Sequence, residues 1–252
     1  RPRVIPCLLV HKGGLVKTRQ FAEPKYVGDP INAVRIFSEK SVDEIMVIDI
    51  DASVAGKEPD YTLIRNLAAE CRMPLCYGGG IRTVAQAQAI IGLGVEKIAI
   101  SSAALADPAL IGQLAEVLGR QSVVVVLDVR RGPRGYDLCT HNGRKAMGMD
   151  PVAFARRAAE LGAGEIVVNS IDNDGMMKGY DVELVGAVKA AVTIPVTALG
   201  GAGSLEDIRA LARRFGIIGA AAGSLFVFKG VYRAVLINYP SPAEKDRLVD
   251  PA

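Results

Sequence analysis

Asp128 closes the run Val123-Val124-Val125-Val126-Leu127 and is followed by Val129. Apolar walls raise the pKa of such a carboxyl toward the range where proton transfer is useful. Other acids stand in comparable places. Asp49 and Asp51 lie at the end of an apolar run, Ile45–Ile50, and Asp172 and Asp174 follow another, Gly164–Ser170. Carboxylates grouped at strand ends suit general acid–base work or the orientation of a polar substrate. Capping of the next helix is the plainer use, and it is expected of at least one of Asp51 and Asp174. The second chemical signal is glycine. Gly78-Gly79-Gly80 and Gly200-Gly201-Ala202-Gly203 each follow an apolar run and lead into a helix-period segment. Backbone N–H groups approach an anion closely at such loops, and a helix N-terminus adds a favourable dipole. The next apolar runs end in Ser101-Ser102 and Gly223-Ser224, which add hydroxyl and backbone donors. Tight turns alone would also call for glycine. Two matched glycine sets with matched serines point instead to two phosphate groups. Lys17, after Gly13-Gly14, is either a neutraliser of a phosphate or carbonyl oxygen or an exposed loop lysine.

The elements that carry these residues form a repeat. Glu44, Ile45, Ile50, Asp51, Pro74, Gly79 and Gly80 recur as Glu165, Ile166, Ile171, Asp172, Pro195, Gly200 and Gly201, a constant offset of 121 positions. Apolar, strand-like runs stand at Val4–Val10, Ile45–Ile50, Met73–Tyr77, Lys97–Ser101, Ser122–Asp128, Gly164–Ser170, Ile194–Ala198 and Ile217–Ala221. Near-continuous apolar strands are buried on both faces, as in a parallel sheet. Amphipathic segments alternate with them, and several open with helix-start chemistry: Asp29-Pro30, Asp107-Pro108, Asp150-Pro151, and Ser204 with Asp207. Strand–helix units repeated as four plus four predict a single (β/α)8 TIM barrel over residues 1–252. A doubly wound sheet is the other arrangement of such units. It fits less well, since no topological switch is visible and the halves match. The longest irregular stretches, His11–Gly28 and Arg130–Asp150, each follow the first strand of a half, where loops cover the catalytic face.

Arg3, Glu44, Lys97 and Glu165 stand just before the first, second, fourth and sixth runs, so they fall at the other end of the barrel. They either close into a ring of ion pairs or make ordinary surface pairs of small value. The net charge is +3 with the signs interspersed, and no basic block marks a nucleic-acid binder. No apolar run approaches the ~20 residues of a membrane span, and the start has no signal-peptide core, so a cytoplasmic location is expected. Four cysteines without a C-x-x-C pair and only His11 and His141 read as reduced thiols and no metal site. No cofactor is expected.

The segments Val4-Ile5-Pro6-Cys7-Leu8, Gly78-Gly79-Gly80-Ile81-Arg82, Asn169-Ser170-Ile171-Asp172-Asn173-Asp174-Gly175 and Gly200-Gly201-Ala202-Gly203 resemble the cyclase subunit of imidazole glycerol phosphate synthase, the HisF family. The resemblance runs from about Arg1 to Gly230. It implies a half-symmetric barrel, a bis-phosphate ribonucleotide-like substrate, and ammonia delivered through the barrel from a glutaminase docked on the bottom face. It also implies a charged gate at Arg3, Glu44, Lys97 and Glu165, a catalytic role for Asp128, and substrate contacts at Lys17, Asp49, Asn169, Ser170, Asp172 and Asp174. Three positions depart from the family pattern. Leu9 stands where a second catalytic aspartate is expected, Ser101 where an asparagine is usual, and Met176 where a threonine is usual. A leucine transfers no proton, so cyclase activity of the chain itself is in question. Pro-Cys-Leu-Leu at the first strand, Lys25 to Asn32 and Gly223 to Phe228 resemble a divergent branch from surface-polysaccharide gene sets. That branch implies an ammonia-channelling subunit that serves a separate sugar amidotransferase, with the histidine-pathway cyclase as the alternative. A sister ribonucleotide isomerase needs no ammonia, and the complete charged set argues against it.

Overall fold

The structure is a computed structural model that describes residues 1–230 and 232–249. Eight strands run parallel: β1 (Arg3–His11), β2 (Ile45–Asp49), β3 (Leu75–Gly78), β4 (Lys97–Ile100), β5 (Val123–Gly132), β6 (Glu165–Ser170), β7 (Val196–Leu199) and β8 (Gly219–Ala222). Each pairs with the next, and β8 returns to β1 through Arg3↔Gly219 to Pro6↔Ala222, so the sheet closes. Seven longer helices lie between or after them: α1 (Pro30–Glu39), α2 (Tyr61–Glu70), α3 (Val84–Gly92), α4 (Ala109–Leu118), α5 (Pro151–Leu161), α6 (Val182–Ala191) and α7 (Leu205–Phe215). The expected (β/α)8 barrel is the observed architecture.

Strand alternation sorts the side chains into two cores. On β1, Val4, Leu8 and Val10 face the helices, while Ile5 and Cys7 join Met46, Cys76, Ala99, Val124, Val126, Val167 and Ala221 inside the barrel. Leu9, Ile48 and Leu199 pack at the edge of that inner layer. All four cysteines are unpaired. No helix among the described residues is long and apolar enough to cross a membrane.

Local chemistry sets the helix starts. Asp29 accepts the Asn32 N–H with Pro30 in the first turn, Asp150 accepts the Val152 N–H, and Ser204 and Asp207 form a reciprocal capping box. Asp107 accepts the Ala109 N–H at 3.1 Å where α4 begins. Two expectations are corrected. Neither Asp51 nor Asp174 caps a helix; Asp60 and Asp181 do so for α2 and α6, after long connections from β2 and β6. The stretches read as irregular after the first and fifth strands are β-hairpins. Gly14–Arg19 pairs antiparallel with β1 and with Ala22–Gly28, and Gly135–Thr140 pairs with the extended end of β5. Buried Leu15, Val16, Leu138 and Cys139 tie these hairpins to the barrel.

Candidate active site

The C-terminal ends of the strands surround one cavity. Asp49, Asp128, Asn169, Asp174 and Lys17 line it, and so do Gly79, Gly80, Ser101, Ser102, Gly200, Gly201, Gly223 and Ser224. Ser170 follows inward-facing Asn169 on β6 and, by the pleat, turns to the other side of the strand, buried. Asp172 lies outside the cavity too: its carboxylate accepts the Arg131 N–H at 2.7 Å, beside an outer cleft that also holds Arg19 and Arg130. Two of the six expected substrate contacts are therefore not brought together with the rest.

Asp128 sits at the centre of the arrangement. Asn169 Nδ2 donates to its Oδ1 at 2.8 Å, and Ser101 Oγ donates to its Oδ2 at 3.3 Å. Burial pushes its carboxyl up to about 6, against the opposing pull of those two donors. A carboxyl there can hold or release a proton near neutral pH. Ser101 spends its hydroxyl on Asp128, so it places no side-chain cap on the short helix Ser102–Ala106.

Lys17 is no exposed loop lysine. It lies on the hairpin folded over β1, only 6% exposed, and its Nζ donates to the Cys7 carbonyl at 2.5 Å. Burial lowers its pKa, against the pull of Cys7 and Asp174. Asp174 accepts the Thr18 hydroxyl at 2.6 Å and the Phe21 N–H at 3.3 Å, and burial raises its pKa. The residues after β6 thus hold the first hairpin down. Asp49 accepts the N–H groups of Asp51 and Ala52, while burial pushes its pKa up. Asp51 instead meets His11 Nδ1 at 2.7 Å.

The two glycine loops share one steric reason. A Cβ on Gly79 would come 2.4 Å from the Asp49 carbonyl oxygen, and one on Gly200 would come 2.5 Å from that of Ser170. Asp49 and Ser170 are related by the repeat offset, so each loop crosses the end of the second or sixth strand at the same point. The turns need glycine whether or not an anion binds. Helices α3 and α7 are closed by their own capping boxes, Thr83 with Gln86 and Ser204 with Asp207. Beside the cavity, the short helices Ser102–Ala106 and Ser224–Val227 start without a side-chain cap. Gly79→Ala is expected to destabilise the chain by about 3 kcal/mol or more, from left-handed φ and the close carbonyl. Thermal melting checks this; a midpoint within about 2 °C of the parent would contradict it.

At the opposite end the four charges close into a ring. Arg3 Nη1 meets Glu44 Oε2 and Arg3 Nη2 meets Glu165 Oε1, both at 2.7 Å; Lys97 Nζ meets Glu44 at 2.8 Å and Glu165 at 3.1 Å. Both carboxylates are buried, so ordinary surface pairing is excluded. Burial would raise Glu165, but Arg3, Lys97 and Thr197 together hold it below the usual carboxylate value. Thr197, fully buried, donates to Glu165 Oε1 at 2.6 Å. The sequence reading missed it, although a hydroxyl at an inward position of an apolar strand was a legible signal.

The family model for "Histidine biosynthesis protein" matches residues 3–233. The chain belongs to that family. It is 57% identical over 252 residues to the "Putative imidazole glycerol phosphate synthase subunit hisF3" of Vibrio vulnificus (strain YJ016), covering 99% of this chain and 97% of the relative. It is 53% identical to the "Putative imidazole glycerol phosphate synthase subunit HisF" of Leptospira interrogans, with 98% of each chain covered. The "Imidazole glycerol phosphate synthase subunit HisF" of Hyphomonas neptunium is 44% identical over 228 residues, 90% of each chain. The HisF resemblance read from the motifs stands; none of these names mentions a polysaccharide or a sugar. Within this histidine biosynthesis barrel, Leu9 and Ser101 line the same cavity as Asp128, whereas Met176 lies at the outer cleft with Asp172.

Proposed function

We propose that the chain is a HisF-type barrel subunit that accepts ammonia at one end and uses it on a phosphorylated substrate at the other. The observation that carries this is the pairing, in one HisF-like chain, of a closed ring of buried charges at the strand starts with an acid–base cavity at the strand ends. In this reading a glutaminase subunit docks on the bottom face around Arg3, Glu44, Lys97 and Glu165. Ammonia passes the ring and an inner layer that includes the small side chains Cys7, Cys76, Ala99 and Ala221. It reaches Asp128, which takes a proton from the attacking nitrogen. Gly79, Gly80, Ser101 and Ser102 receive one phosphate; Gly200, Gly201, Gly223 and Ser224 receive the other. Lys17 neutralises charge between them, and Asp49, Asn169 and Asp174 orient the substrate. Ser170 and Asp172 shape the β6 loop around it.

The names of the relatives favour the cyclase of imidazole glycerol phosphate synthase over the sugar-amidation reading. One observation keeps the second reading in view: Leu9 lines the mouth where the resemblance calls for an acid. A HisF-like ammonia supplier to a separate sugar amidotransferase would not need that acid. The test is direct. The histidine-pathway bis-phosphate intermediate is supplied with ammonium salt, and imidazole formation is measured for the parent and Leu9→Asp. Turnover by the parent is the expected result. Turnover only in Leu9→Asp, or in neither, would overturn the cyclase reading and leave ammonia supply to an amidotransferase.

A further inference from the structure

Condensing ammonia with a carbonyl needs two proton-transfer groups, one to take protons from nitrogen and one to deliver them to the departing oxygen. Asp128 is one. The cavity is lined by five other titratable side chains: Cys7, Lys17, Asp49, His141 and Asp174. Four of them have another place in the reading above. Burial pushes the Cys7 thiol up to about 11. Lys17 is bonded to the Cys7 carbonyl and neutralises charge, while Asp49, which accepts two backbone N–H groups on Oδ1, and Asp174, which accepts Thr18 and Phe21 on Oδ2, orient the substrate through the other oxygen. His141 differs. Its Nδ1 lies 2.9 Å from Thr140 Oγ1, and among the described residues no hydrogen-bond partner takes Nε2.

His141 and Asn142 carry φ of 55° each, in the left-handed region that asparagine and histidine enter more readily than most residues, as a tight turn requires. The turn is tied down on several sides. Asn142 Nδ2 reaches to the Ile50 carbonyl beyond β2 at 2.9 Å, and Arg130 Nη1 donates to the Gly143 carbonyl at 2.9 Å. Phe21 of the first hairpin and Ile171 after β6 close in on Gly143. The turn after Thr140, which leads into the short antiparallel strand Lys145–Ala146, is thus fastened to Arg130 on β5 and to three other loops.

We propose that His141 is the second proton-transfer group of the mouth, acting on the substrate oxygen while Asp128 acts on the attacking nitrogen. The proposal rests on the ammonia-using reading above. Ammonia's lone pair forms the C–N bond as the carbonyl π pair moves to oxygen. Asp128 takes a proton from nitrogen, and the imidazolium Nε2 gives one to oxygen. The carbinolamine then loses water: nitrogen gives up a second proton, oxygen gains a second, and the C–O bond breaks to leave C=N. Two protons leave nitrogen and two arrive on oxygen, so the pair is restored once the proton on Asp128 is passed back to the imidazole.

The test uses His141→Asn, because asparagine tolerates left-handed φ but moves no proton. Ammonium-dependent kcat is expected to fall about 100-fold with KM within about threefold, and Leu9→Asp added to His141→Asn is expected to recover at least about tenfold. His141→Gly should regain activity with free imidazole, a response that a merely structural role would not give. Turnover of His141→Asn within threefold of the parent overturns the proposal. If the parent turns over no ammonium-dependent substrate, the functional reading has failed, and the probe becomes inorganic phosphate. The chain has two histidines, so His141→Asn assigns their NMR resonances. A phosphate-dependent shift at His141 with His11 unmoved supports His141 as a group facing the occupied mouth; an unmoved His141 overturns it.

Discussion

Asp128→Asn is expected to lower ammonium-dependent turnover by about 10³-fold while raising the melting temperature at neutral pH. The two effects have one cause. The carboxyl is held at about 6 in the folded chain because burial disfavours its charge, whereas an unfolded aspartate ionises near 3.9. Between those values the folded state keeps a proton that the unfolded state has lost. Stability therefore falls as pH rises through that window, and the full penalty is present above it. Its size is on the order of 1–3 kcal/mol, toward the lower end because the carboxyl borders an open cavity. Asparagine keeps the shape and the bonds available to Ser101 and Asn169 without the charge. The expected gain is a few degrees in Tm at pH 7.5, vanishing near pH 4. Equal melting of parent and variant at both pH values would mean that Asp128 is not strained by its site. Unchanged turnover would remove it from the chemistry.

Lys97→Met is the second large effect, and it concerns stability. Glu44 and Glu165 are buried and share two cations, Arg3 and Lys97. Removing one cation leaves two close carboxylates on a single guanidinium. Breaking a buried ion network in this way costs about 3–5 kcal/mol, and the lower end applies because Lys97 keeps some solvent access. For a chain of this length that is about 6–12 °C in Tm. The pH dependence follows from Glu165, which the wild-type ring holds below its ordinary value. A depressed carboxylate contributes stability that is present above its unfolded pKa and is lost as pH falls through the folded one. In Lys97→Met that contribution shrinks, so the melting curve flattens between neutral pH and about pH 4. Adding Glu44→Gln should recover part of the loss by removing the excess negative charge. A Tm within 2 °C of the parent would show that the ring stores no such energy.

Much of this was legible in the chain. Runs such as Val123–Leu127 and Gly164–Ser170 gave the barrel strands, because strands buried on both faces have no polar interruptions. Asp29-Pro30, Asp150-Pro151 and Ser204 with Asp207 marked helix starts, because caps act within four residues. The hairpins were not legible. Gly14–Arg19 and Gly135–Thr140 are strands only because β1 and β5 extend past the barrel to receive them. Asp51 and Asp174 were misassigned for a related reason: their partners, His11 and Thr18, lie far away in sequence and near only in the fold.

The sequence by itself determined the repeat and the barrel, since both follow from periodicities of two and 3.6 and from turn chemistry. Only the tertiary structure decided which of the strand-end residues share a space. Closure brought Asp128, Asn169 and Ser101 from three strands onto one carboxylate and joined four isolated charges into a ring. It turned Lys17 inward, left Ser170 and Asp172 outside, and carried His141 on a hairpin tip over the mouth. Distances between strands depend on closure and loop packing, and neither is written in the spacing of residues along the chain.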